Sequence, residues 1–282
     1  MRKGLDSRDT KPHLSVLAVV EEAHSTRRCL AAAALAGTIS PQTTLTALHI
    51  EVDPAQIITA PEEISLQKLR TSTEGSAADR AKRVRRMFEF WCANQHSLNA
   101  AWVSKAGTVE AILTAEAANT DLIVLAKPHN MDSFDALHGA LFDARKLVLF
   151  VPDTNNLGSV HRRMIIAWKD RAQARRAVEQ ALPWLAAAEQ VIAVSVEESE
   201  IPEQFDELRK ILGARGIKAD YRFLCVDPNE HPSGRILREA KNEGADSVVM
   251  GAFRFGMIAE WFFGGVTREI LYSANIPIFL FH

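Results

Sequence analysis

The chain has 282 residues, 47% of them hydrophobic and 24% charged, with a net charge of -2. That length favours two domains of ordinary size, and the charge balance argues against a dedicated nucleic-acid binder or a partner of anionic membranes. No run of about 18 apolar residues exists and the first twelve residues are polar, so neither a membrane span nor a secretory signal is expected, and a cytoplasmic location follows by default. In chain order, His13 to Val20 is a short apolar run, followed by an Ala/Leu-rich helical stretch, Thr26 to Ala36, and a second apolar run, Thr44 to Ile50. Short apolar runs read as buried strands and longer periodic stretches as helices. A longer polar segment, 53–96, holds Pro61, the Ser/Thr/Gly stretch Thr71 to Ser76 and a basic helix, Ala77 to Gln95. Its cations Arg80, Lys82, Arg83, Arg85 and Arg86 read as a solvated face. Weaker strands are expected at Asn99 to Val103 and Ala219 to Leu224.

Much of the pattern occurs twice. Asp121 to Leu125 and later Leu147 to Val151 are strands of the first half. After 152–160, a Pro/Asn/Gly/Ser-rich linker, Arg163 to Trp168 repeats the first strand, Ala172 to Ala188 the first helix and Gln190 to Val196 the second strand. Asp246 to Met250 and Ile276 to Phe281 match the strands that end the first half. Each half thus reads βαβαβαβαβ. Such alternation implies two tandem α/β domains, 12–153 and 160–282, each a doubly wound, mostly parallel sheet in a Rossmann-like three-layer sandwich.

The chemistry-bearing stretch is 250–270, M-G-A-F-R-F-G-M-I-A-E-W-F-F-G-G-V-T-R-E-I, which leaves a strand and enters a helix. Glycines let backbone amides approach phosphate oxygens, and a helix N-terminus favours an anion. In open parallel sheets ligands lie outside the carboxyl ends of the strands, where this loop falls.

This stretch resembles the nucleotide signature of the universal stress protein family: Gly, two residues, Gly, nine residues, Gly, then Ser or Thr, after the fourth strand. Gly251 is the first glycine, Arg254 stands at the second, nine residues lead to Gly264, and Gly265 takes the Ser/Thr position. Val266-Thr267 and the closing Ile-Pro-Ile also match the family's usual residues. The resemblance covers 160–282 and, more faintly, 12–153, and places the fold among the adenine-nucleotide-hydrolase-like group. It implies a stress-response binding protein with ATP or AMP in the second domain, held by Trp168, Lys169, Val196, Gly251, Arg254, Gly264, Gly265, Val266 and Thr267. Three of these depart from the pattern. Lys169 replaces an acidic residue, with Asp170 next to it. Arg254 adds a guanidinium that either fills the pocket or meets phosphate. Gly265 lacks the family's hydroxyl. In the first half the loop reads Ala126, His129, His138, Gly139, Ala140, without the glycine cradle, although Glu21-Glu22 supplies an acid at the first-strand end. The family's association mode implies an intrachain pseudo-dimer of the two halves through the apolar final strands, and pairing of chains into a homodimer. The physiological protein partner is not readable.

No catalytic machinery is expected. There is no GxSxG elbow and no GxxxxGK[ST] loop. A phosphoacceptor reading has only Ser104-Lys105 and Val226-Asp227 at the third-strand ends. His129 and His138 lie nine apart with no acidic or cysteine cluster at metal spacing, so they read as satisfied loop histidines. Trp168, Trp261, Phe262 and Phe263 read as packing rather than base stacking. Cys29, Cys92 and Cys225 read as buried thiols of a reducing compartment. The alternatives to a nucleotide-binding regulator are a scaffold without nucleotide and a slow ATPase.

Overall fold

A computed structural model describes residues 13–52, 61–95, 100–154, 157–197, 203–226, 231–252 and 265–282. The chain divides into two compact units, one built from Ser15–Leu35 and Thr44–Leu157, the other from Gly158–His282 with His13, Leu14 and Ala36–Thr43.

The first unit runs β1 (Leu14–Val19), α1 (Ala23–Gly37), β2 (Thr43–Glu51), α2 (Pro61–Glu74), α3 (Ala77–Ala93), β3 (Ala100–Ala106), α4 (Val109–Ala117), β4 (Leu122–Ala126), α5 (Met131–His138) and β5 (Val148–Val151). Its strand order is β3-β2-β1-β4-β5. The pairs β2–β3, β1–β4 and β4–β5 are parallel. β4 and β5 are buried along their whole length, which is why they read as unbroken apolar runs: a parallel strand is covered on both faces.

The second unit repeats the plan: β6 (Arg163–Ala167), α6 (Ala172–Ala187), β7 (Gln190–Glu197), α7 (Asp206–Gly213), β8 (Asp220–Cys225), α8 (Pro232–Asn242), β9 (Ser247–Gly251), α9 (Val266–Ser273) and β10 (Ile278–Phe281). The order is β10-β9-β6-β7-β8, with β10–β9, β9–β6, β6–β7 and β7–β8 all parallel. The doubly wound α/β expectation therefore holds in each half. In both, the chain leaves the first strand toward one edge and returns to its other side for the fourth. The crevice between the ends of those two strands is the topological switch point, the usual ligand site of such sheets.

The repeat extends to individual hydrogen bonds. Ser15 N–H donates to Asp121 Oδ2 at 2.9 Å, and Asp121 N–H returns to Ser15 O at 2.9 Å. In the second unit Arg163 N–H donates to Asp246 Oδ2 at 2.8 Å, and Asp246 N–H returns to Arg163 O at 2.8 Å. The strand exits match as well: Val20 N–H meets Leu48 O and Trp168 N–H meets Val194 O, each at 2.8 Å. Lys127 N–H meets Val151 O and Ala252 N–H meets Phe281 O, also at 2.8 Å. These pairs equate Glu21 with Lys169 and Ala126 with Gly251.

Three expectations are corrected. The segment after β2 contains an additional helix, α2, starting on Pro61, where the missing N–H is one of the four that no helix start satisfies internally. It ends at Gly75, whose φ of +83° is the left-handed conformation that glycine takes without strain. Ser76 then caps α3 by accepting Asp79 N–H at 3.2 Å. On that helix Arg80 is not part of a solvated face: it is buried, donating to Gly75 O at 2.9 Å and Val52 O at 3.3 Å. The cysteines are not all buried either: Cys29 is, Cys92 is half-buried and Cys225 is exposed. Among the described residues no helix is long and apolar enough to cross a membrane.

Candidate functional site

The switch point of the second unit lies between the end of β6, which leads into Trp168 and Lys169, and the end of β9 at Gly251. Val196, near the end of β7, stands on the other side of β6 and is half-buried. Trp168 is buried, and its indole N–H donates to Gln204 O at 2.7 Å, so it serves as a wall with its polar atom already committed. Lys169 Nζ lies 2.8 Å from Glu197 Oε1, joining the exits of β6 and β7 at a largely exposed position. Asp170 is held by a two-pronged contact with Arg175, at 2.6 and 2.9 Å, and that guanidinium keeps its carboxyl below the usual carboxylate range. Asp170 is therefore already committed to Arg175.

Gly251 has a steric reason of its own. A Cβ there would come within 2.7 Å of Ala174 N and 2.8 Å of Gln173 C, so the strand end packs directly on the first turn of α6. Gly265 precedes α9 in extended conformation and offers no side-chain cap. Val266 is half-buried and Thr267 buried in the first turn of that helix. Arg254 and Gly264 lie outside the described residues, as do Trp261, Phe262 and Phe263.

The switch point of the first unit carries a different set. Glu21, the equivalent of Lys169, turns inward: its Oε1 accepts Ile50 N–H at 3.1 Å, and its Oε2 lies 3.5 Å from His49 Nδ1. His49 donates from that nitrogen to Val20 O at 2.8 Å, and burial lowers its pKa below the ordinary imidazole range. Glu22 faces the crevice instead. Its Oε1 accepts His129 N–H at 3.0 Å and Ser133 Oγ–H at 2.6 Å, which ties the exit of β1 to the loop after β4 and the start of α5. Asn130 caps α5 by accepting Ser133 N–H at 3.0 Å, fixing that loop. Glu22 Oε2 lies 3.4 Å from His24 Nδ1 and 3.9 Å from His129 Nδ1. His24 Nε2 and His129 Nδ1 are 3.3 Å apart, with the rings edge to face. His129 Nε2 lies 3.0 Å from Asp153 Oδ2, and Asp153 Oδ1 accepts from Arg28 at 2.8 Å.

His129 and His138 are thus separated, not paired. His138 lies 3.6 Å from Asp143 and stacks on Phe142. His129 does have an acidic neighbourhood, contrary to the expectation from sequence spacing. It is assembled from positions 24 to 107 residues away in sequence, so no local motif announces it. His24, Asp153 and Arg28 carry no signal of their own in the sequence. Gly139 keeps its glycine for packing: a Cβ would meet Leu113 Cδ2 at 3.3 Å, where a π-helical turn, Gly139–Asp143, follows α5.

The comparisons with known proteins agree with this architecture. Residues 226–282 match the family model of the universal stress protein family, a span that contains β9, the Gly251–Thr267 stretch and β10. A universal stress protein from Archaeoglobus fulgidus DSM 4304 has the same fold at 15% identity, covering 95% of each chain with a TM-score of 0.62. A protein of unknown function from Pseudomonas aeruginosa PAO1 matches at 14% identity over 98% of this chain and 94% of its own, with a TM-score of 0.55. A putative universal stress protein from Pseudomonas aeruginosa UCBPP-PA14 matches at 15% identity over 95% and 92%, with a TM-score of 0.52. No curated protein matches the sequence. The chain is a tandem protein of universal stress protein fold, and it carries that family's own sequence pattern in its last 57 residues.

Proposed function

We propose that the chain is a regulatory binding protein of the stress response that takes up an adenine nucleotide, ATP or AMP, at the switch point of its second unit. The observation that carries this reading is the coincidence of the family-matched segment with the β6/β9 crevice. There Val196 supplies an apolar flank for the base. The first turn of α9 has no side-chain cap at Gly265, so its backbone N–H groups are suited to phosphate oxygens. Lys169 adds a cation where relatives of the family pattern have an acid, which favours the charged end of the ligand over the ribose hydroxyls.

The reading is one of action by binding and by contact with a protein partner: among the described residues of the crevice, Asp170 is engaged by Arg175 and Lys169 by Glu197. Calorimetric titration of the intact protein with ATP and with AMP, with and without Mg²⁺, tests the reading. Saturable micromolar binding is expected, and absence of binding in all four arms rejects it. ATP hydrolysis above that of a Gly264→Val variant would replace it with the slow-ATPase reading. One observation favours a scaffold without nucleotide: the contact between Gly251 and α6 accounts for that glycine with no ligand at all. The same titration decides between the two.

A further inference from the structure

We propose that Glu22, His24 and His129, at the switch point of the first unit, bind one divalent transition-metal ion of the zinc class. Their ligand atoms all lie within 4.8 Å of one another. The inference is independent of the nucleotide reading, because every residue it uses lies in the other unit.

Proton counting comes first. Asp153 accepts at His129 Nε2, so a neutral His129 keeps its hydrogen there and turns the lone pair of Nδ1 into the cluster. That lone pair faces His24 Nε2 at 3.3 Å and Glu22 Oε2 at 3.9 Å. Glu22 Oε1 is already occupied by two donors, so Oε2 is the oxygen left to the histidines. Neutral His24 has a single N–H, yet it lies between two acceptors, Glu22 Oε2 at 3.4 Å and His129 Nδ1 at 3.3 Å. With its hydrogen on Nδ1 toward Glu22, the Nε2 lone pair of His24 converges with that of His129 Nδ1, an arrangement that a cation between them accepts.

Geometry favours the cation. Two nitrogens bound at about 2.0–2.1 Å to a tetrahedral ion are separated by roughly 3.3–3.4 Å. The two imidazole nitrogens stand 3.3 Å apart, and Glu22 Oε2, 3.9 Å from His129 Nδ1, belongs to a set of ligand atoms within 4.8 Å of one another, so a side-chain adjustment of Glu22 brings the carboxylate to the ion. Asp153 supplies the outer carboxylate that commonly fixes the tautomer and ring angle of a metal-bound histidine, itself steadied by Arg28. Two imidazoles and one carboxylate are the donor set of a three-ligand zinc site with an open fourth position. His24 and His129 are partly exposed, so the fourth position opens to water and the ion has a path in.

The test is a calorimetric titration of the full chain with Zn²⁺ after metal removal by chelator. One equivalent is expected at micromolar affinity or tighter. His129→Gln and Glu22→Gln should each abolish that equivalent, and Asp153→Asn should weaken it about ten- to hundredfold. Cys225→Ser, at the exposed thiol, should leave it unchanged. Circular dichroism of the metal-free variants verifies that each is folded, and Co²⁺ loading gives a second readout that needs no variant. Visible d–d bands of a tetrahedral nitrogen and oxygen site support the proposal. A sulfur-to-cobalt charge-transfer band, no bound equivalent, or binding that survives both His129→Gln and Glu22→Gln would overturn it.

Discussion

Single residues decide what each crevice can hold, and two of them give direct tests. Gly251 is required by the backbone of α6: its φ lies outside the left-handed region, so the constraint is purely steric. Gly251→Ala should therefore destabilise the protein by about 1–3 kcal/mol, the usual cost of forcing a methyl group into a filled space. Urea unfolding reads this as a lowered midpoint with an unchanged slope, and an unaltered midpoint would show that the contact relaxes freely. Cys29 is the second case. Burial pushes its thiol pKa up to about 12, and its Sγ–H points at the carbonyls of Val124 and Val19, at 3.3 and 3.5 Å. At pH 8 about one part in ten thousand is then thiolate. Mass spectrometry after mild alkylation should find Cys225 labelled in the native protein and Cys29 labelled only after unfolding. Raising the pH to 9 should not change that order.

At the scale of elements, helix α3 shows how one cation can differ from its neighbours. Arg80 links the start of α3 to the end of β2 through Val52 O and to the preceding turn through Gly75 O. Arg80→Ala should cost about 1.5–3 kcal/mol, the range for buried hydrogen bonds from a charged donor. Arg86→Ala, on the exposed side of the same helix, should stay within about 0.5 kcal/mol. Thermal or chemical melts of the two variants side by side decide it. The sequence makes both residues look alike, because periodicity identifies a helix's apolar stripe but not which long polar side chain folds back on a carbonyl. The strands were legible for the opposite reason: β1, β4, β6 and β9 are covered on both faces and carry almost no polar residue. Helix α2 was not, since its polar sequence lacks an apolar stripe and Pro61 reads as a break unless its place at the first helical position is known. The first-unit cluster was half legible. Doubly wound order puts the exits of β1 and β4 side by side, but side-chain direction in the connecting loops leaves no periodic trace. Glu22, His24, His129 and Asp153 therefore look unrelated until the fold brings them together.

For the whole molecule, two further outcomes are expected. If the first-unit cluster binds zinc, free Zn²⁺ at one hundred times its dissociation constant should add about 2.7 kcal/mol of stability, and chelator should remove it. Differential scanning calorimetry with and without metal measures this, and the gain should be lost in Glu22→Gln. We also expect a homodimer, following the family's mode of association; light scattering on a sizing column should then give twice the 31.2 kDa chain mass, and a single-chain mass at working concentration would dismiss it. The duplicated Asp–backbone clasps, Asp121 with Ser15 and Asp246 with Arg163, have one more consequence. They hold the same frame open twice while the residues at its mouth have diverged, acidic and imidazole-bearing in one copy, glycine- and lysine-bearing in the other. Two freely diffusing proteins with such mouths would meet in proportions set by their expression levels. Joined by a peptide bond, the two units are present one to one in every molecule, and no dilution or change in synthesis can alter that ratio.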